Sequence, residues 1–183
     1  MQKHLARFSC FIEDPKLNNT VLSNDDFLVS DAVSLQYAGH NLSRDAILKA
    51  ALKLTPLTHD EQQVIQWMKK FKDIQMLIGF VAGDEKTSSH EMLHVSFFTN
   101  HKYNERIHGI WNMVKVKHIK WALEFQLYLE SKYHPDVWVD EFQAIILNGE
   151  YECIPQIYAL LKTAADATHR KCFDGDYKII IDV

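Results

Sequence analysis

The chain reads as α+β: a mostly helical single domain over residues 1–183, with a small sheet packed against one motif-bearing helix. Three observations predict this. Beyond Ser43, apolar residues recur mainly at three- and four-residue spacing, the helical period. Only a few short stretches alternate or run apolar as strands do. The composition, 47% hydrophobic and 24% charged over 183 residues, is that of a globular chain long enough for one sizeable core.

Over 5–12, Phe8, Cys10 and Ile12 alternate with Arg7 and Ser9, as in a half-buried strand. Residues 13–19 are polar and contain Pro15, so they predict a loop. Val33, Leu35 and Tyr37 predict a second strand, and 38–41 a turn. Ser43 caps a helix with the stripe Ile47, Ala50, Ala51 and Leu54, which Pro56 stops. Thr58-x-x-Glu61 is a capping box opening a helix with Val64, Trp67, Met68 and Phe71 inward. The nearly unbroken apolar run 74–82 predicts a strand buried on both faces, and Gly83-Asp84 turns the chain. Next comes a helix bearing His90 and His94. The stretch 103–132 is helical, with Gly109 and 114–117 as the candidate breaks. Tyr133-His134-Pro135 turns, Asp136 caps a helix through Phe142, and Asn148-Gly149 ends it. Pro155 stands in the first turn of a last helix with Ile157, Tyr158, Leu161 and Ala165 inward, and 177–181 closes as a strand.

Several function classes fall away on bulk properties. The net charge is −4, and the richest basic patch, Lys115, Lys117 and Lys120 with His118, reads as a solvated helix face, so no nucleic-acid partner is expected. The longest apolar run, 76–82, is far too short for a membrane span. Cys10, Cys153 and Cys172 lack paired spacing, as free thiols in a reducing compartment would. No signal peptide is expected, because the stretch after residues 1–7 is too short and too polar for one. A cytoplasmic protein is the expectation; one exported without a cleaved signal would read the same way.

The chemistry concentrates in Ser88-Ser89-His90-Glu91-Met92-Leu93-His94. On a helix, His90 and His94 project from one face and reach one metal ion, and Glu91 is placed to take a proton from water on that metal. The same letters allow a plainer reading. Ser88-x-x-Glu91 also spells a capping box, in which case the chain is a non-enzymatic α+β interaction module. A third reading pairs Glu91-x-x-His94 with Glu105-x-x-His108, the repeated unit of di-iron carboxylate bundles.

A catalytic zinc (Zn2+) takes three protein ligands and leaves a position for water. Phe97 and Asn100 stand where the metzincin pattern needs glycine and histidine, which removes that source of a third ligand. Glu141 shares an apolar helix stripe with Trp138 and Ile145, and a carboxylate there is costly to bury unless paired or metal-bound. Asp140 is the fallback ligand, or alternatively the acceptor for the second ring N–H of His90 or His94. Hydrolysis at such a metal would develop an oxyanion that needs a donor, for which Tyr103, His108, His118 and Tyr151 are all candidates.

His90-Glu91-x-x-His94 with Glu141 on a later helix resembles the gluzincin arrangement of zinc metallopeptidases, within the larger zincin group. The resemblance covers the two helices and the preceding strand. It implies His90, His94 and Glu141 as zinc ligands, Glu91 as catalytic base, and a peptide or protein as substrate. The chain departs from the best-known members in two ways. Its third ligand lies further along, and Asp140-Glu141 stands where they carry Asn-Glu.

Overall fold

The computed structural model describes residues 39–54, 56–72, 75–80 and 83–172. The strands expected over 5–12, 33–37 and 177–181 lie outside the described residues, as do Cys10 and the side chain of Cys172. Among the described residues the architecture is α+β: seven α-helices and a short 3-10 turn accompany one two-stranded antiparallel sheet. The chain divides into two compact units, one through Glu91 and one from Met92.

In the first unit, β1 (Gly39–Ser43) pairs antiparallel with β2 (Met76–Phe80), with Asn41 opposite Ile78 and Ser43 opposite Met76. Residues 39–41 are thus strand, where a turn was expected over 38–41; residue 38 lies outside the described residues. Gly, His and Asn favour a turn locally, but the ladder to β2 satisfies their backbone groups, and such pairing overrides a weak local preference. β2 is also not buried on both faces: Leu77 and Gly79 are buried, while Met76, Ile78 and Phe80 are half-buried.

Helix α1 (Arg44–Lys53) starts where expected, with the Ser43 hydroxyl accepting the Ala46 N–H at 3.1 Å. Helix α2 (His59–Lys70) opens on a complete capping box. Thr58 Oγ1 accepts the Glu61 N–H at 3.3 Å, and Glu61 Oε2 accepts the Thr58 N–H at 2.7 Å. The Arg44 Nε–H donates to the Met68 carbonyl, tying the start of α1 to the end of α2. The enclosed core is aliphatic: Leu42, Ile47, Leu54, Val64, Met68 and Leu77, with Trp67 packed against it.

Helix α3 (Glu85–Thr99) runs through the division between units. Asn100 then caps α4 (His101–Lys117) by accepting the Tyr103 N–H at 3.1 Å. The break before α5 (Ile119–Glu130) falls at His118; Gly109 stays inside α4. A 3-10 turn (Pro135–Val137) leads into α6 (Trp138–Leu147). Asp136 lies within that turn and does not cap α6. Gly149, at φ 69°, supplies the left-handed residue that ends α6. The last helix, α7 (Pro155–Cys172), buries Ile157, Leu161 and Ala165 but leaves Tyr158 exposed, against expectation.

The core of the second unit is aromatic. Phe125 and Phe142 are fully buried, Trp111 packs on both, and Trp121 stacks on Phe125 at 5.1 Å. The indole N–H groups of Trp121 and Trp138 donate to the carbonyls of Glu152 and Tyr133. Helix α5 is apolar on two sides; Phe125 and Leu129 face in, while Ile119, Leu123 and Leu127 stay exposed. Among the described residues, no helix is long and apolar enough to cross a membrane.

Candidate metal centre

The start of α3 decides how its motif can be used. Asp84 sits just ahead of the helix and binds Thr87 twice. Oδ1 accepts the Thr87 N–H at 3.0 Å, and Oδ2 accepts its hydroxyl at 2.6 Å. These bonds hold the Asp84 carboxyl below its usual range, the hydroxyl contributing most. The Ser88 N–H already donates to the Asp84 carbonyl, so Ser88 lies inside the first turn. The capping box expected as the alternative at Ser88-x-x-Glu91 therefore does not form: the cap position is taken one turn earlier. The Glu91 carboxylate is buried, and its Oε2 accepts the side-chain N–H of Asn41, on β1, at 2.8 Å.

His94 is 2% exposed, with a carboxylate near each edge of its ring. Nδ1 lies 2.8 Å from Asp140 Oδ2, and Nε2 lies 3.8 Å from Glu141 Oε1. Of the adjacent carboxylates at the start of α6, Glu141 thus lies towards the Nε2 edge and Asp140 beside Nδ1. His90 is half-buried one turn before His94 on the same continuous helix. One ligand atom each from His90, His94 and Glu141 lies within 4.8 Å of the others.

The donor set suits zinc. Two imidazole nitrogens and a carboxylate oxygen are a borderline-soft trio, and tetrahedral bonds of about 2.1 Å set ligand atoms roughly 3.4 Å apart. The 3.8 Å between His94 Nε2 and Glu141 Oε1 needs only a slight closing. Charge points the same way. Two largely buried carboxylates flank one imidazole, and withdrawing each from water costs on the order of several kcal/mol, which a divalent cation between Nε2 and Glu141 would offset.

Behind Asp140 the polar contacts continue. Gln143 Nε2 donates to Asp140 Oδ1 at 3.2 Å, and the Tyr103 hydroxyl donates to Gln143 Oε1 at 2.8 Å. Burial, with the negative charge of Asp140 adding to it, pushes the Tyr103 hydroxyl well above its ordinary pKa. Tyr103 is 2% exposed and committed to Gln143, which removes it from the candidate oxyanion donors. Sequence reasoning missed Gln143 and Asn41. Gln143 carried a faint signal, an amide three residues after Asp140 on a buried stripe. Asn41, 50 positions from Glu91, carried none.

The second Glu-x-x-His unit behaves differently. Glu105 and His108 are exposed on α4, and Glu105 pairs with His101 at 3.3 Å. Among the described residues they join no group with metal-binding spacing. In comparisons with protein families, with curated proteins and with solved structures, nothing matches this chain.

Proposed function

We propose that the chain is a zincin-like zinc hydrolase, and specifically a gluzincin-like metallopeptidase, acting in the cytoplasm on a peptide or protein. One observation carries the proposal: the convergence of His90, His94 and Glu141. The three residues are the ligands. A zinc ion held by them would supply Lewis acidity for hydrolysis. Glu91 is the general base. Asn41 donates to its Oε2 and so orients the carboxylate, which would take the proton of the attacking water and pass it to the leaving amine. Asp140 Oδ2 lies 2.8 Å from Nδ1 of His94, on the ring edge away from Glu141, where a carboxylate would help to orient a metal-binding imidazole.

Elemental analysis of untagged protein tests this, with wild type beside His94→Ala and Glu141→Ala. The expected result is about one zinc per chain in wild type and loss of it in both variants, with native circular dichroism. A wild-type chain that takes up no metal when zinc is offered would remove the hydrolase reading. About two irons per chain would replace it with the di-iron one.

A further inference from the structure

We propose that α5 carries a self-association surface whose occupant is the α5 of a second copy of this chain, laid antiparallel across a two-fold axis at Leu123. None of the metal-binding residues is on α5, so its association is independent of hydrolysis.

Helix α5 has more apolar surface than the core beneath it uses. Ala122, Phe125 and Leu129 are buried, while Ile119, Leu123 and Leu127 on another side are 59%, 57% and 67% exposed. Val116, also exposed, stands just before the break at His118. These four are half of the eight large hydrophobic side chains exposed among the described residues, and they fall within one short stretch of chain. Single exposed leucines are ordinary on a protein surface. A run of them at four-residue spacing is instead a ridge of the kind that packs helix on helix.

The charges beside the ridge select the occupant. Its N-terminal end is basic, with Lys117 and Lys120, and its C-terminal half is acidic, with Glu124 and Glu130. Lys132, just beyond, is engaged over its own Tyr128 ring at 4.4 Å. A surface with opposite signs at its two ends complements itself when a second copy runs the other way. Lys120 and Glu124 lie one turn apart along the same border of the ridge. A two-fold axis between antiparallel helices brings like borders together. With the axis at Leu123, that residue meets the partner's Leu123, Ile119 meets the partner's Leu127, and Lys120 meets the partner's Glu124, twice by symmetry. Among the described residues neither Lys120 nor Glu124 has an ion pair within its own chain. A parallel arrangement would set basic end beside basic end, and an anionic membrane would meet the two glutamates as well as the lysines.

Shape agrees with charge. A shallow depression of about 440 Å³ lies at the first turn of α5, lined by residues that include Lys117, Ile119, Lys120, Trp121 and Ile154. The antiparallel arrangement delivers the partner's Leu127 to it. A helix of this length spans about 18 Å, so the contact is small. The dimer should be reversible, with a dissociation constant on the order of 1–100 µM.

Sedimentation velocity of the full-length chain over a range of concentrations tests this. Leu123, Lys120 and Glu124 are all exposed, so circular dichroism should stay native in the variants. Leu123→Glu sets two carboxylates against each other at the axis and should raise the dissociation constant at least about a hundredfold. Lys120→Glu and Glu124→Lys each bring like charges together at two places and should raise it about tenfold. Both changes in one chain exchange the charges and should restore association to within about threefold of wild type. An equimolar mixture of the two single variants should associate more tightly than either alone. A face covered by another part of the same chain would not respond to an exchange between copies.

A wild type that stays monomeric at about 1 mM overturns the proposal. So does a dimer that Leu123→Glu leaves intact, or a double variant that associates no better than the single ones. A monomeric wild type that binds vesicles of phosphatidylcholine and phosphatidylserine, and loses them in Leu123→Glu, would assign the face to a membrane and overturn it as well.

Discussion

Thr58-x-x-Glu61 and Ser88-x-x-Glu91 are spelled alike, and the fold treats them differently. At the first, hydroxyl and carboxylate close a complete capping box. At the second, the helix has begun a turn earlier at Asp84, and the glutamate is drawn to an asparagine on a neighbouring strand. Both glutamates are buried, so burial alone does not separate them. What separates them is which residue wins the cap. Where an aspartate stands upstream with a threonine to bind, the serine is surplus, and the glutamate three residues on is released for other work. A second pair repeats the lesson: Glu91-x-x-His94 is buried and partnered from other elements, whereas Glu105-x-x-His108 stays exposed on its helix.

The largest expected effect sets the two glutamates against each other. Glu91→Gln should lower turnover of a fluorogenic peptide library by about 10²–10⁴-fold, the usual range for losing a general base, while zinc stays bound. Glu61→Gln should leave turnover nearly unchanged and lower only stability. Equal activity in Glu91→Gln and wild type would mean that Glu91 is not the base.

A smaller effect separates the hydroxyls. Thr58→Ala removes a working cap and should cost about 1 kcal/mol in urea denaturation. Ser88→Ala should stay within about 0.5 kcal/mol, as for a substitution that breaks no cap. Similar losses at both positions would restore the capping role of Ser88.

The smallest effect concerns pH. Because folding lowers the Asp84 pKa, its contribution is complete above the unfolded value near 3.9 and is lost as pH falls through the lower folded value. Asp84→Asn also caps well but does not titrate. Its denaturation midpoint should therefore decline less than that of wild type over the acid range below about pH 4. Parallel declines would show that Thr87 does not engage the Asp84 carboxylate.

Much of this was readable from local chemistry. The caps at Ser43 and Thr58, the stop at Pro56, the left-handed Gly149 and Pro155 at the start of α7 all act within a few residues of chain, the range over which letters are informative. The grouping of His90, His94 and Glu141 was readable because i, i+4 spacing is geometry and because a carboxylate on an apolar stripe is anomalous wherever it occurs. What escaped depended on distant partners. β1 took turn-forming letters and became a strand because β2 paired with it. The two apolar sides of α5 could not be ranked by periodicity, since both have the right period. Asp140 and Glu141 are adjacent, and only the placement of the His94 ring assigns one to each edge.

The tryptophans are unevenly shared, and this makes the molecule legible to light. Of the four, Trp67 packs against the aliphatic core of the first unit, while Trp111, Trp121 and Trp138 belong to the second. Near-ultraviolet emission is therefore weighted towards the aromatic half. In Trp67→Phe, every photon excited at the red edge of the absorption comes from beyond Met92. A melting curve of that variant is a melting curve of the helical unit, and subtracting it from wild type recovers the colour change of the smaller core.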